Sequence, residues 1–233
     1  MLISIIIPTL NEERQIKKLI AYLQRDPSFP LVKEIIVVDG HSEDRTREVA
    51  IKLGAMVLNS EHRSRALQMN LGAKRASGEV LYFLHADTFP PTGYAQKIWQ
   101  ATRDLYTSGC FRLRFDWSHW FLNTNSWFTR FNSNFFRFGD QSLFVRKEAF
   151  MQVNGYNKKL KIFEDQEIVK QLSRLGRFVV LSDHVITSAR KYRKNGPIRL
   201  QLVYFWIYFL YALGFSQRTL MKTYQILVPF PRA

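Results

Sequence analysis

Side chains capable of chemistry stand in this sequence where apolar runs stop. Val80 to Leu84 form one such run, after which the chain presents His85, Asp87 and Thr88 before Pro90 and Pro91. A run of that length, bounded by turn residues, suits a strand buried on both faces. The carboxylate beyond it has two uses: capping the next helix, or holding a cation. Thr9, Asn11 and Glu12 follow a first apolar run in the same manner, and Asp39 and Ser42 follow a second. Further on, FEDQE gathers Glu164, Asp165 and Glu167. Acids at that spacing complement the dipole of a first helical turn, and any of them can also accept a proton. TSARKYRKNG sets Arg190, Lys191, Arg193 and Lys194 around Tyr192, a group suited to a diphosphate or to anionic lipid heads. His184 reads as an ordinary loop histidine. No phosphate-cradling glycine loop, zinc-ligand spacing or Gly-x-Ser-x-Gly elbow occurs.

The elements around these residues alternate. Leu2 to Ile7, Glu34 to Val38 and Val80 to Leu84 predict buried strands, with Met56 to Leu58 as a short one. Ile16, Leu19, Ile20 and Leu23, spaced by three and four, predict a helix that Asn11 would cap. A second helix is expected from Ser42 to Leu53 and a third from Arg65 to Ala76. Such alternation means βαβ units and a mostly parallel sheet, with ligands outside the carboxyl ends of the strands. Thr9, Glu12, Asp39 and Asp87 should therefore line one crevice. SLFVRKEAF predicts a strand and a helix start, the Phe163 segment a helix to about Leu175, and Phe178 to Leu181 a further strand.

Composition sets the limits. With 233 residues, 46% hydrophobic and 23% charged, the chain has the make-up of a folded globular protein. A single cysteine, Cys110, excludes an intramolecular disulfide framework and fits a reducing compartment. MLISIIIPTL lacks a basic flank and meets Pro8, so it reads as a first strand and not as a signal peptide.

The net charge of +15 is unevenly placed: residues 184–233 hold 8 basic residues and no acidic one. That excess predicts a docking surface for something anionic. In residues 111–138, 11 of 28 are Phe or Trp. Trp117, Trp120, Phe121, Phe128, Phe131, Phe135 and Phe138 approximate a helical stripe, read here as core with part lining a pocket. Pro197 to Leu213 predicts a helix of about 25 Å, short of the roughly 30 Å hydrocarbon layer. Gln201, Tyr204, Tyr208 and Tyr211 share one face of it. A helix lying at a membrane interface, or packed on a partner chain, fits that pattern better than a spanning one.

ISIIIPTLNEE, EIIVVDGHSEDRT, RALQMNLGAKRASGEVLYFLHADT and FEDQEI, in that order, resemble a family 2 glycosyltransferase of the GT-A fold. GDQSLFVRKEAF and TSARKYRKNG are similar to segments of a subgroup of small, single-domain bacterial members. The resemblance runs from Leu2 to about Gly196. It implies an α/β GT-A domain over 1–196, followed by a C-terminal helical segment over 197–233. It also implies a nucleotide-sugar donor, a UDP-sugar by preference, with Thr9, Glu12 and Asp39 at the nucleoside and Arg65 near the nucleotide.

The family's Asp-x-Asp stands here as His85-Ala86-Asp87. By the resemblance, Asp87 meets a divalent cation, Mg²⁺ or Mn²⁺, that bridges the donor phosphates, and one carboxylate suffices when phosphates supply other oxygens. His85 then contacts the ribose or a phosphate. Asp165 matches the base that takes a proton from an acceptor hydroxyl, with inversion at the sugar, and Glu164 and Glu167 are its neighbours in reserve. Arg190 lies in a segment expected to fold over the diphosphate. The acceptor is unspecified, lipid-linked ones included, and no nucleic acid is expected. The expected place is the cytoplasm, peripheral on the inner face of an anionic membrane.

Two alternatives stay open. A nucleotidyltransferase of the same fold would want a glycine-rich basic loop after the first strand, which PTLNEER lacks. A non-catalytic basic module for nucleic acid or membrane explains the charge but leaves Glu12, Asp39, Asp87 and Asp165 without a purpose.

Overall fold

A computed structural model describes residues 2–133, 136–137 and 139–228. Among these residues, eight strands form one sheet. The first half supplies β1 (Ile3–Thr9), α1 (Glu13–Arg25), β2 (Val32–Asp39), α2 (Thr46–Lys52), β3 (Met56–Asn59), α3 (Arg65–Arg75) and β4 (Val80–Phe83). The chain continues through β5 (Thr88–Phe89), α4 (Tyr94–Arg103), β6 (Ser108–Phe115), α5 (Trp120–Trp127), β7 (Leu143–Arg146) and α6 (Lys147–Gln152). It closes with α7 (Glu164–Leu175), β8 (Phe178–Thr187), α8 (Arg190–Asn195), α9 (Pro197–Ala212) and α10 (Gln217–Leu227).

The strand order is β3-β2-β1-β4-β7-β6-β8-β5. β3, β2, β1 and β4 are mutually parallel, whereas β7 runs antiparallel to both β4 and β6. The chain leaves β1 toward β2 and β3 and returns on the other side as β4. That reversal opens a crevice at the carboxyl ends of β1 and β4.

Every residue of β1 is buried, and its alternation serves both layers. Ile3, Ile5 and Ile7 join Ile16, Leu19, Ile20 and Leu23 of α1 on one face. Ile6 joins Ala66, Met69 and Ala73 of α3, and Ile168 and Leu172 of α7, on the other. Each such buried aliphatic side chain contributes roughly 1.5–3 kcal/mol of transfer free energy. Gly72 lets α3 approach the sheet: a β-carbon there would lie 2.5 Å from Ile6 Cγ2. Gly72→Ala would overpack this seam, at a cost of about 1–3 kcal/mol.

Several elements depart from the sequence reading. α2 begins at Thr46 and not at Ser42, because residues 42–45 are held in the loop after β2. Asn11 does not cap α1: it takes φ 53°, and its side-chain oxygen accepts from the Glu43 amide instead. β8 continues to Thr187, which puts His184 in a strand and not in a loop.

The aromatic stripe is not core. α5 buries only Leu122, while Trp120, Trp127, Phe128 and Phe131 stand exposed. A 3₁₀ turn at Phe128–Arg130 interrupts the helix, so the angular spacing that would have aligned the rings is lost. Phe135 and Phe138 lie outside the described residues.

Candidate active site

Thr9 and Asp39 are register partners at the carboxyl ends of β1 and β2. Both are buried. Asp39 accepts from the Ser42 amide at 2.8 Å, from the Ser42 hydroxyl, and from Thr9 Oγ1 at 3.4 Å. Ser42 Oγ in turn accepts from the Asn11 amide, and Thr46 Oγ1 from the Glu12 amide, each at 2.9 Å. These bonds stitch the loop after β1 to the loop after β2 and so fix where Glu12 projects. Gly40 has a packing reason of its own: a β-carbon there would press on the Gln68 side chain, which donates to the Thr9 and Val38 carbonyls.

Glu12 and Asp87 come together through Arg190. The Arg190 guanidinium donates from Nη1 to Glu12 Oε2 at 3.0 Å, and from Nη2 to Glu12 Oε1. Its Nη2 also lies 3.3 Å from Asp87 Oδ2. Burial pushes the Asp87 carboxyl above its ordinary value, the Asp140 charge adds to this, and His85 and Arg190 oppose it. A carboxylate in that setting favours a nearby cation. In the described structure, that cation is the Arg190 guanidinium.

The second cluster gathers around α7. His85 Nδ1 donates to Asp140 Oδ1 at 3.0 Å. Burial alone would lower the imidazole; the hydrogen bond and charge of Asp140 outweigh it and raise the group above its ordinary value. Burial likewise works against the Asp140 carboxylate, yet His85 holds it down to about 2. Asp165 behaves in the opposite way. Burial, and then the adjacent Glu164 charge, raise its carboxyl to about 7, with His85 and Arg65 pulling back. That is where a general base works best near neutral pH.

Phe163, in the left-handed region at φ 67°, turns the chain into α7 just before Asp165. Gly139 faces the same carboxylate: a β-carbon there would collide with Asp165 Oδ2 and lie 2.9 Å from His85 Cε1. His85, Gly139 and Asp165 share the wall of a cavity of about 20 Å³, room for one water.

Arg65 lies opposite Glu164, with Nε 4.0 Å from Oε1. Its charge acts on His85, Asp140 and Asp165. Glu167 accepts from the Gln171 side chain one turn along α7. Asp140 and Gly139 were missed as site residues in the sequence, although GDQ follows the aromatic segment. An acid preceded by glycine after a long irregular stretch was the available signal. Among the described residues, no group of three or more His, Cys, Asp or Glu side chains is placed to hold a metal ion unaided.

A family model described as glycosyl transferase family 2 matches residues 4–157. The succinoglycan biosynthesis protein ExoA of Rhizobium meliloti is 26% identical over 234 residues, covering 90% of this chain and 68% of that protein. Four further curated relatives, 30–35% identical over stretches of 92–109 residues, are spanned over only 24–31% of their own length. Among solved structures, the mannosyltransferase PcManGT from Pyrobaculum calidifontis, in complex with GDP-Man and Mn²⁺, superposes with a TM-score of 0.71 at 17% identity. That match covers 97% of this chain and 72% of the other. S. aureus TarS 1-349 in complex with UDP gives a TM-score of 0.66 at 20% identity, covering 81% of this chain and 60% of that one. These likenesses establish the GT-A fold. With the family match over most of its length, the chain belongs to glycosyl transferase family 2.

Proposed function

We propose that the protein moves a sugar from a UDP-sugar to an acceptor hydroxyl, inverting the anomeric centre. The observation that carries this reading is the convergence of Glu12, Asp87 and Arg190 at the crevice, beside a half-buried Asp165 whose carboxyl is raised to about 7. Thr9, Glu12 and Asp39 are assigned to the nucleoside side, where carboxylates accept from an imide or from ribose hydroxyls. Arg65 and His85 are assigned to the donor's phosphate and ribose end.

Asp87 would suit a divalent cation held mainly by a diphosphate: it is a single, raised carboxylate at the crevice, paired with the Arg190 guanidinium. When bound, such an ion would offset charge on the departing diphosphate. Arg190, released from Glu12 and Asp87, turns its fork toward the same phosphates. Asp165 takes the acceptor proton as the hydroxyl oxygen bonds to the anomeric carbon, on the face opposite the leaving group. His85, held by Asp140, favours the ionised form of that carboxylate to the extent that its imidazole is protonated.

The comparisons support the donor class through neighbours crystallised with UDP and with GDP-Man, and the cation through Mn²⁺ in one of them. We place the protein at the cytoplasmic surface of an anionic membrane, with lipid-linked hydroxyls among its acceptors. A thermal-shift panel of UDP-, GDP- and other nucleotide-sugars, with and without Mn²⁺, tests the donor. Stabilisation by UDP-sugars above the rest supports the reading; no shift with any of them rejects it.

A further inference from the structure

α9 is strongly apolar for a helix that lies at the surface. Its polar face, with Gln201, Tyr204, Tyr208 and Tyr211, turns inward. Tyr192 Oη donates to Gln201 Oε1 at 3.1 Å, and the Tyr211 ring lies 4.7 Å from that of Phe163. Leu200, Val203, Ile207 and Leu210 form a small core with Leu220 of α10. What remains outward is Ile198, Leu202, Phe205, Trp206, Phe209 and Leu213, each about half exposed or more. The spacing of three and four makes this a continuous stripe. α5 lies alongside, with Asn125 Nδ2 donating to Gln201 Oε1 at 3.1 Å. Contiguous apolar surface of this kind marks an interaction site.

We infer that the outward face of α9 beds into the surface of an anionic phospholipid bilayer. Charge selects this occupant over a second copy of the chain. Arg193, Lys194, Arg199, Arg218 and Lys222 are exposed around the stripe, and no acid follows Asp183. A two-fold pairing of such faces would set like charges against each other, whereas anionic headgroups complement them. No helix among the described residues is long and apolar enough to cross a membrane, so α9 lies in the interfacial plane. Tryptophan is favoured at that depth.

The back of the same helix touches Tyr192 of α8 and Phe163 at the start of α7, so the crevice opens next to the docked face. Delivery of a lipid-linked acceptor into that crevice rests on the transferase reading; the docking itself does not.

Flotation of the full chain with phosphatidylcholine vesicles, with or without phosphatidylglycerol, tests the proposal in the absence of any donor. Co-flotation with the phosphatidylglycerol vesicles at low salt, much reduced at high salt, is expected. Trp206→Ser with Phe209→Ser should weaken partition about tenfold or more, and Ile51→Ser, an exposed apolar residue on α2, should leave it unchanged. All these side chains are exposed, so the variants should fold, which thermal melts verify. Absence of flotation, or equal flotation of the double variant, overturns the proposal. So does a dimer in sedimentation equilibrium that the double variant dissolves. If nucleotide-sugars fail to stabilise the protein while flotation succeeds, the transferase reading fails and the docking stands.

Discussion

His85 and Asp140, 55 residues apart, meet in a 3.0 Å hydrogen bond at the mouth of the crevice. His85 stands where the family pattern has an acid, so an imidazole bonded to a carboxylate takes the place of a second carboxylate. Removing the partner exposes this. In Asp140→Asn, burial and the Arg65 charge act on His85 unopposed by a carboxylate bond, so its titration midpoint should fall. Histidine NMR titration reads this directly; an unmoved midpoint would refute the pairing.

The same pair has a pH window in stability. His85 is raised, so its contribution is complete below the ordinary histidine value and fades as pH rises through its folded value. Asp140 is lowered, so its contribution is complete above the ordinary aspartate value and fades as pH falls toward about 2. Asp140→Asn should therefore lower the melting temperature most between about pH 4 and 6.5, and less above that. A melting-temperature deficit that keeps growing through pH 9 would contradict the assignment.

Asp165 predicts a conflict between activity and stability. Its carboxyl sits at about 7 when folded and near 3.8 otherwise. Folding thus favours the protonated form, and stability is lost as pH rises through that interval. Asp165→Asn removes the loss and should stabilise the protein at pH 8 by on the order of 2 kcal/mol. Transfer should fall by ~10²–10⁴-fold with donor affinity nearly unchanged. Glu167→Gln, whose carboxylate is engaged with Gln171, should cost little of either. If Glu167→Gln proves the more damaging of the two, the base is misassigned. Wild-type kcat should rise with pH through about 7, as the base ionises.

What could be read from the sequence was whatever short-range pattern dictates. β1, β2, β4 and the spacing of Ile16, Leu19, Ile20 and Leu23 announced a sheet and its first helix, and the ends of those strands located Thr9, Asp39 and Asp87. Asp140 was beyond that reach, since its importance comes from meeting His85 across 55 residues. The orientation of α9 was also invisible. Periodicity separates a tyrosine face from a leucine–tryptophan face, but only the packing on Phe163 and Tyr192 decides which points outward. The aromatic stripe failed for a related reason: periodicity presumes one unbroken helix, and the 3₁₀ turn at Phe128–Arg130 broke it.

Gly139 offers a steric test of the catalytic corner. Its missing side chain is what leaves room for the Asp165 carboxylate beside His85. Gly139→Ala would push the carboxylate off its present position, and misplacing a base by about an ångström costs up to ~10²-fold. Turnover should fall by ~10–100-fold with donor affinity largely kept. Activity equal to wild type would show that Asp165 does not work from this position.

Arg190 supplies the sharpest separation between phosphate and nucleoside recognition. In the described structure it is not idle: its fork is occupied by Glu12 and reaches Asp87. A diphosphate competes for that fork, since Arg pairs with phosphate in the same two-pronged way. Loss of the side chain should then weaken UDP and spare uridine, which has no phosphate to receive it. Freed from its ion pair, Glu12 should bind the nucleoside at least as well as before. Calorimetric titration of Arg190→Ala should show UDP affinity down by about 10–100-fold, the range expected when one charge-assisted hydrogen bond to phosphate is removed. Arg190→Lys keeps the charge without the fork and should fall between. Asp87→Asn should behave differently, weakening UDP in Mn²⁺ and leaving metal-free binding nearly unchanged. An Arg190→Ala protein that loses uridine and UDP equally would mean that the guanidinium serves only to hold Glu12 in place.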